Sequence, residues 1–475
     1  MAAPSDNVRD YCVKLNEMLT GDFVERHLHT LQSLTKAFRE QEFRDSVDRE
    51  VLQMLIETVS KLNEGMDVPC PPQALYIQLT AECFRSQRNA CVQCPRNQNL
   101  IRDLGFIKVS LRLLRALLGL RLESTDCLFE ALRCGVQFLG NLAVGNQVCK
   151  DDIWMHAFPH LFLDLLDHKD RKTAAYASML LYTCLDSLKV DELTLQQENL
   201  DVAKKVIGLC QRQPELDWTV LIVTQHFFKS SKLVEKLYVG LSNQERVMFL
   251  ELVTAQLVEP REAAGDSGIP AELAKFLASC FLDGCRAVLE LASCPSAADE
   301  EALTVIRLLD VLCEMTSDRQ PFMFLQDHPT LLSTTVELLK EVHFLGKVGR
   351  NIFSAQQDFS MAGPASHPAV SFKAHLVRLI ANLCHGNSHN QNKVREMDGI
   401  ALILDNCNID SNNPFISQWA IFALRVILDH NRKNQEVVQA LERRGVADDS
   451  TLRKMGFRLE ERDGSLLLKP IRKEP

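Results

Sequence analysis

The sequence lacks any stretch of about 18 uninterrupted apolar residues, the length that a membrane-spanning helix needs. Its first residues, Met1-Ala-Ala-Pro-Ser-Asp, hold no basic segment followed by an apolar one. Membrane insertion is therefore not expected, and the expected location is cytosolic or nuclear. Excess positive charge is missing too: Lys and Arg number 53 against 62 Asp and Glu, a formal net charge of −9, and the pI is near 5.9. No global field draws in nucleic acid or an anionic membrane surface, so no nucleic-acid partner is expected. Aromatic residues are sparse at 7%, with only 20 Gly and 17 Pro. The apolar content is instead mainly Leu, Ala and Val, which suits helices better than sandwiches or barrels. No Asn-x-Ser/Thr sequon occurs, in keeping with a reducing compartment. There the 16 cysteines would be mostly free thiols, packed at positions such as Cys83, Cys184, Cys313 and Cys384 as small hydrophobes.

The common catalytic signatures are missing as well. There is no Gly-rich phosphate loop, His-Glu-x-x-His helix, Gly-x-Ser-x-Gly elbow or EF-hand loop. The expectation is a protein that is not an enzyme and uses no cofactor and no metal. Cys91-x-x-Cys94 has the spacing of half a zinc site or a redox pair, but no second close Cys/His pair follows at finger distance. The competing reading buries Cys91 on a helix and leaves Cys94 in the turn before Pro95. His156 and His160 stand four apart as metal ligands do, yet Pro159 between them breaks or starts a helix, which makes them structural.

What the chain does have is a soluble, globular balance, 46% hydrophobic and 24% charged, with length enough to bury a large core. Apolar residues recur at helical spacing, as in Leu303, Ile306, Leu308, Leu309, Leu312 and Cys313, or Leu376, Leu379, Ile380 and Leu383. Short breaks separate the helices at Cys94-Pro95, Phe158-Pro159, Asp167 to Asp170 and His328-Pro329. Longer breaks span 186–199, 259–268, 294–301 and 346–371.

Repetition turns these helices into one architecture. An Asn-Gln pair recurs at Asn97-Gln98, Asn146-Gln147, Asn390-Gln391 and Asn434-Gln435, the first two copies 49 residues apart and the last two 44. That is close to the armadillo and HEAT period of about 40–47. The clearest copy runs from Asn390 through the Asp398-Gly399-Ile400 corner and the Asn412-Asn413-Pro414 turn to Trp419 and Leu424. The fold class expected is all-α, an armadillo/HEAT-like helical-repeat superhelix in which neighbouring units bury each other's apolar faces. Two alternating runs around Asp463-Gly464 predict a small C-terminal β-hairpin capping the stack. The expected division is 1–60 N-terminal helices, 61–345 helical repeats, 346–371 a flexible loop or linker, and 372–475 C-terminal repeats with the hairpin.

The segments Glu82-Cys83-Phe84-Arg85, Arg88-Asn89-Ala90-Cys91, Gln137 to Asn141, His156 to Pro159, Glu301 to Thr316 and Asp398 to Asn408 resemble the ataxin-10 family, with similarity from about Leu52 onward. The resemblance implies an armadillo-repeat, cytoplasmic and perinuclear protein, found also at centrosome, cilium basal body and midbody. It implies a homo-oligomer that self-associates partly through its C-terminal region. It further implies roles in neuronal survival, neurite outgrowth through Ras–MAP kinase signalling, and cytokinesis. The partners it implies are a heterotrimeric G-protein β subunit, the O-GlcNAc transferase and a ciliary nephrocystin.

The candidate protein-binding groove rests on Asn89, Asn141 and Asn382, each late in a helix that the armadillo register places along the groove. Such an amide can bond a guest's backbone through donor and acceptor together, or it can only satisfy carbonyls at its own helix end. One turn earlier, where nuclear-import adaptors of this fold carry Trp, stand Arg85, Gln137 and Arg378. Arg suits carboxylates or phosphates, so the expected guest is acidic or phosphorylated rather than a basic localisation signal. Trp419 and Phe422, three apart on a helix, are candidate self-association anchors or ordinary core. Two functions fit: a self-associating scaffold, or a regulatory subunit that stimulates an enzyme such as a glycosyltransferase.

Overall fold

The computed structural model describes residues 4–66, 74–120, 126–258, 268–293, 299–317, 320–356, 367–441, 453, 456–462 and 465–471. They are overwhelmingly helical and divide into two compact units, Met1–Phe249 and Leu250–Pro475. Among the described residues no helix is long and apolar enough to cross a membrane.

Local sequence explains each helix. Glu300–Met315 starts where Asp299 Oδ1 accepts the Glu301 and Ala302 amides at 3.1 Å, with Glu300 and Glu301 favourably placed at the positive end of the helix dipole. Its apolar stripe, including Val305, Leu308, Leu309 and Leu312, is buried. The helix closes at Thr316, whose hydroxyl donates to the Leu312 carbonyl at 2.7 Å.

Unit 1 repeats a three-helix plan. Pro95–Asp103, Phe106–Gly119 and Asp126–Ala143 make one copy, and Gln147–Ala157, His160–Leu166 and Arg171–Cys184 the next. Ser187–Glu192, Gln197–Arg212 and Asp217–Gln225 follow on the same plan. The third helix of each copy packs on the third helix of the next, and Ala74–Ala90 precedes the series. Unit 2 stacks Glu300–Met315, Phe372–Cys384 and Ile416–Leu428 in the same way. Gly135 permits one close approach: a Cβ there would lie 2.7 Å from Leu114 Cδ2 and 3.0 Å from Phe84 Cε2. Phe84 and Phe138 stack across that seam at 6.2 Å.

Four readings of the sequence change. The break expected over 186–199 holds the helix Ser187–Glu192, capped by Asp186, and the start of Gln197–Arg212, too short and polar a stretch to show a period. The boundary at 60/61 falls inside the helix Arg49–Met66. The loop expected over 346–371 begins inside Leu331–Val348, and its described part is anchored by the distant Asp410–Asn413 turn. Asp410 Oδ1 accepts the Gln356 amide at 3.1 Å, Asn412 Nδ2 donates to the Ser354 carbonyl at 2.9 Å, and Phe353 is buried. Residues 357–366 lie outside the described residues. The hairpin forms from Phe457–Arg462 and Ser465–Pro470, antiparallel, with Leu459 opposite Leu468; its turn at Asp463-Gly464 lies outside the described residues. Leu468 stays 54% exposed, so this side chain does not cap a stack.

Candidate protein-binding surface

The repeat register is written in buried amides. Asn97 Nδ2 donates to the Ala90 carbonyl at 3.1 Å and the Arg44 carbonyl at 2.9 Å, joining its own preceding helix end to the neighbouring copy. Asn390 does the same with Leu383 and Gln326, both at 2.8 Å, and Asn434 with Ile427 at 2.9 Å and Gln391 at 3.0 Å. In each case the own-helix carbonyl lies seven residues back. Buried carbonyls left without donors are costly, so these amides fix how copies stack.

Asn146 does not belong to this set. Its Oδ1 accepts the Cys149 amide at 3.1 Å, as Asn431 accepts Asn434 and Asn387 accepts Asn390, so Asn146 is a helix cap and Cys149 occupies the linking position. The true copies are Asn97 and Cys149, 52 residues apart. The pair at Asn146-Gln147 misled because a cap residue three positions early has the same side chain. In the next copy the buried Lys189 takes the linking position, paired with Asp151 at 2.7 Å and Asp186 at 2.5 Å. Burial pulls the Lys189 ammonium down, and the bonds to Asp151 and Asp186 outweigh it, leaving it above its ordinary range.

The corrected register keeps Asn89, Asn141 and Asn382 equivalent, and Arg85, Gln137 and Arg378 with them. The amides do not close their own helix ends. Asn89 Nδ2 donates to the Thr35 carbonyl at 3.1 Å, Asn141 Nδ2 to Arg88 at 3.1 Å, and Asn382 Nδ2 to Cys313 at 3.2 Å. Each closes the end of a neighbouring helix, Glu25–Ala37, Ala74–Ala90 or Glu300–Met315, rather than its own, a partner that spacing within one copy does not reveal.

Arg85 and Arg378 are not free cations either. Arg85 pairs with the buried Glu82 and with Glu130. Arg378 pairs with Glu314 at 2.9 Å and lies 5.0 Å from the centre of the Trp419 ring. Trp419 is therefore partly engaged within the unit, with Phe422 edge-on to it at 6.0 Å and 37% exposed. Around Arg85 the third helices form a hollow of about 450 Å³, lined also by Arg88, Arg133, Gln137, Lys172 and Tyr176. Arg88 bonds the neutral Gln137 and Asn89, Arg133 grips Asp170, and the exposed Lys172 has no ion pair among the described residues. Sequence reasoning missed Arg88, Arg133 and Lys172, which come from three different helices.

Cys91 and Cys94 are both buried free thiols, and burial raises the Cys91 thiol well above its ordinary value, which disfavours a reactive thiolate. Cys94 lies just before Pro95 as the helix cap residue. His156 bonds the Asp152 carbonyl through Nδ1 at 2.8 Å, and His160 lies on the next helix. Among the described residues no three His, Cys, Asp or Glu side chains gather as metal ligands do.

Stacked three-helix copies, locked by buried amides and presenting successive third helices, define an armadillo-type helical-repeat protein. Its sequence narrows this further: the chain is 44% identical to ataxin-10 of Bos taurus over 456 residues, 94% of this chain and 95% of that one. It is 42% identical to ataxin-10 of Xenopus tropicalis over the whole of both chains, and 44% identical to that of Homo sapiens over 94% and 95%. The model of the spinocerebellar ataxia type 10 protein domain matches residues 372–469. The chain belongs to the ataxin-10 family. Among solved structures, a designed armadillo repeat protein aligns with 54% of this chain and 96% of its own at 12% identity and a TM-score of 0.36.

Proposed function

We propose that the protein is a non-enzymatic scaffold that self-associates through its last repeat and holds other proteins along its third helices. The observation that carries this is the helix Ile416–Leu428. Phe415 is 70% exposed at its start, Ile421 is 63% exposed, and Phe422 remains open beside Trp419. An exposed aromatic and aliphatic cluster of this kind is the usual core of an interface. It falls inside the segment matched by the family model, and by family resemblance its occupant is a second copy of the chain. By family resemblance the scaffold serves neuronal survival and neurite outgrowth through Ras–MAP kinase signalling, cytokinesis, and the centrosome, basal body and midbody. On the same ground its partners are a G-protein β subunit, the O-GlcNAc transferase and a ciliary nephrocystin. The alternative function is a subunit that stimulates such a transferase.

The test is light scattering of the full chain and of Ile421→Asp with Phe422→Asp across a concentration series. The expected result is a monomeric variant with unchanged helicity, since both side chains are exposed. Unaltered assembly would place the interface elsewhere. In the hollow around Arg85, charge reversal at Arg85 is the wrong probe, because it leaves the buried Glu82 facing a like charge. Lys172→Glu is the informative change. It should weaken an acidic partner segment in a pull-down while moving stability by no more than about 0.5 kcal/mol.

A further inference from the structure

The helix His160–Leu166 has 7 residues, whereas the second helices of the copies before and after it, Phe106–Gly119 and Gln197–Arg212, have 14 and 16. At about 1.5 Å rise per residue the middle helix stops roughly 10 Å short of its neighbours. The chain turns off through Asp167 and Asp170 into the next third helix. The shortfall leaves a cavity of about 1190 Å³ within unit 1. This is above the roughly 300–1,000 Å³ of small-molecule pockets.

Its lining is mixed: charged side chains predominate, and beside them Leu118, Leu120, Phe129 and Leu163 are part-exposed, while Leu117 and Leu128 lie buried behind. Gly119 keeps one wall open: a Cβ there meets nothing within 4 Å. Charge surrounds the apolar surface unevenly. Lys204 and Lys205 are matched by Asp201 at 3.7 Å and Asp167 at 2.7 Å, and Glu245 caps Ser242. Arg115, Lys169 and Arg212 have no carboxylate partner among the described residues; Arg115 bonds the His156 carbonyl, and Lys169 lies over the Phe129 ring. Against these three cations stand Asp164, with no hydrogen bond or ion pair among the described residues, and Glu245, bonded only to the neutral Ser242, so the lining keeps a small excess of positive charge.

We propose that this notch docks an amphipathic helix of another protein, about two turns long, with apolar residues against the leucines and Asp or Glu along its edges. The guest completes the turns that the short helix lacks, and its carboxylates meet Arg115, Lys169 and Arg212. This site is separate from the Ile416–Leu428 surface.

The probe is a fluorescein-labelled, hydrocarbon-stapled model helix of about 12 residues, Leu on one face and Glu on its flanks, with a counterpart bearing Lys for Glu. Anisotropy titration with the full chain should show saturable binding of the Glu helix and at least about tenfold weaker binding of the Lys helix. Gly119→Trp should fill the notch and weaken the Glu helix by about tenfold or more, with the melting temperature unchanged. Arg115→Glu with Lys169→Glu, both exposed, should reverse the preference, and this second variant tests the same contact if Gly119→Trp fails to fold. The assembly variant Ile421→Asp with Phe422→Asp should bind the Glu helix as the parent does, so failure of self-association leaves this result standing. No saturable binding, equal affinity for the two helices, or unchanged affinity in both notch variants would overturn the proposal.

Discussion

The seam between Ala74–Ala90 and Asp126–Ala143 and the surface of Ile416–Leu428 are built on one register with opposite outcomes. At the first, Phe84 and Phe138 are fully buried, Arg85 is paired on both sides, and Asn141 closes the Arg88 carbonyl. At the second, the 44-residue step from Asn390 to Asn434 puts Phe422 where Arg378 stands and Val426 where Asn382 stands. The polar lock is gone, and Phe415, Ile421 and Phe422 are left exposed. Where the plan meets a neighbouring copy it uses charge and amides to fix the approach. At the last third helix it presents apolar area, which is what a second chain can bury.

The largest effect should come from the amides shared by both regions. Asn390→Leu keeps the volume near its original value but removes the donor from the Gln326 and Leu383 carbonyls. Two buried acceptors without partners cost about 3 kcal/mol together, seen as a lower urea midpoint. Asn97→Leu should cost about as much in unit 1. A loss below about 1 kcal/mol in both would mean that water replaces the amides and that the register is not fixed by them. Next comes Gly135→Val, whose side chain meets Leu114 and Phe84. Overpacking should cost about 2 kcal/mol, and a neutral result would show that the seam is looser than its geometry.

Much of this was legible in the sequence. The helical period, the Pro-marked breaks and the Asn-Gln recurrence define the repeat class, and the C-terminal hairpin follows from two alternating runs. The equivalence of Asn89, Asn141 and Asn382 could be read from their spacing, but not their partners, because Thr35, Arg88 and Cys313 belong to other helices. Arg85 looked like a free cation because Glu130 lies 45 residues further on. The anchoring of 349–356 depends on the backbone accepting and donating to Asp410 and Asn412, a polar solution that leaves no apolar period. The notch follows from the distance between Pro159 and Asp170, both visible, but its meaning requires the lengths of the neighbouring helices.

The smallest effect separates the two regions by their acid response. Asp170 caps Arg171–Cys184, accepting the Thr173 amide at 2.9 Å, and ties this helix to Asp126–Ala143 through Arg133. Burial pushes the Asp170 carboxyl up, but the bonds from Arg133 and Thr173 outweigh it and hold it well below the usual carboxylate range. A carboxyl lowered by folding stabilises the folded state fully above its unfolded value near 4, and that contribution is lost as pH falls toward the folded value. Asp170→Asn can still cap the helix but leaves Arg133 without its charge partner, so it should cost about 1 kcal/mol at pH 7. The gap between variant and parent should narrow as pH drops below about 4, because the parent's unfolded state then takes up a proton that its folded state does not. The helix Ile416–Leu428 begins instead at Phe415, in a left-handed conformation and with no side-chain cap bond. That start has no carboxylate cap whose protonation would loosen it. Urea midpoints of the parent and of Asp170→Asn at pH 7 and pH 3 decide the matter, and a gap equal at both values would remove Asp170 as the acid-sensitive tie of the seam.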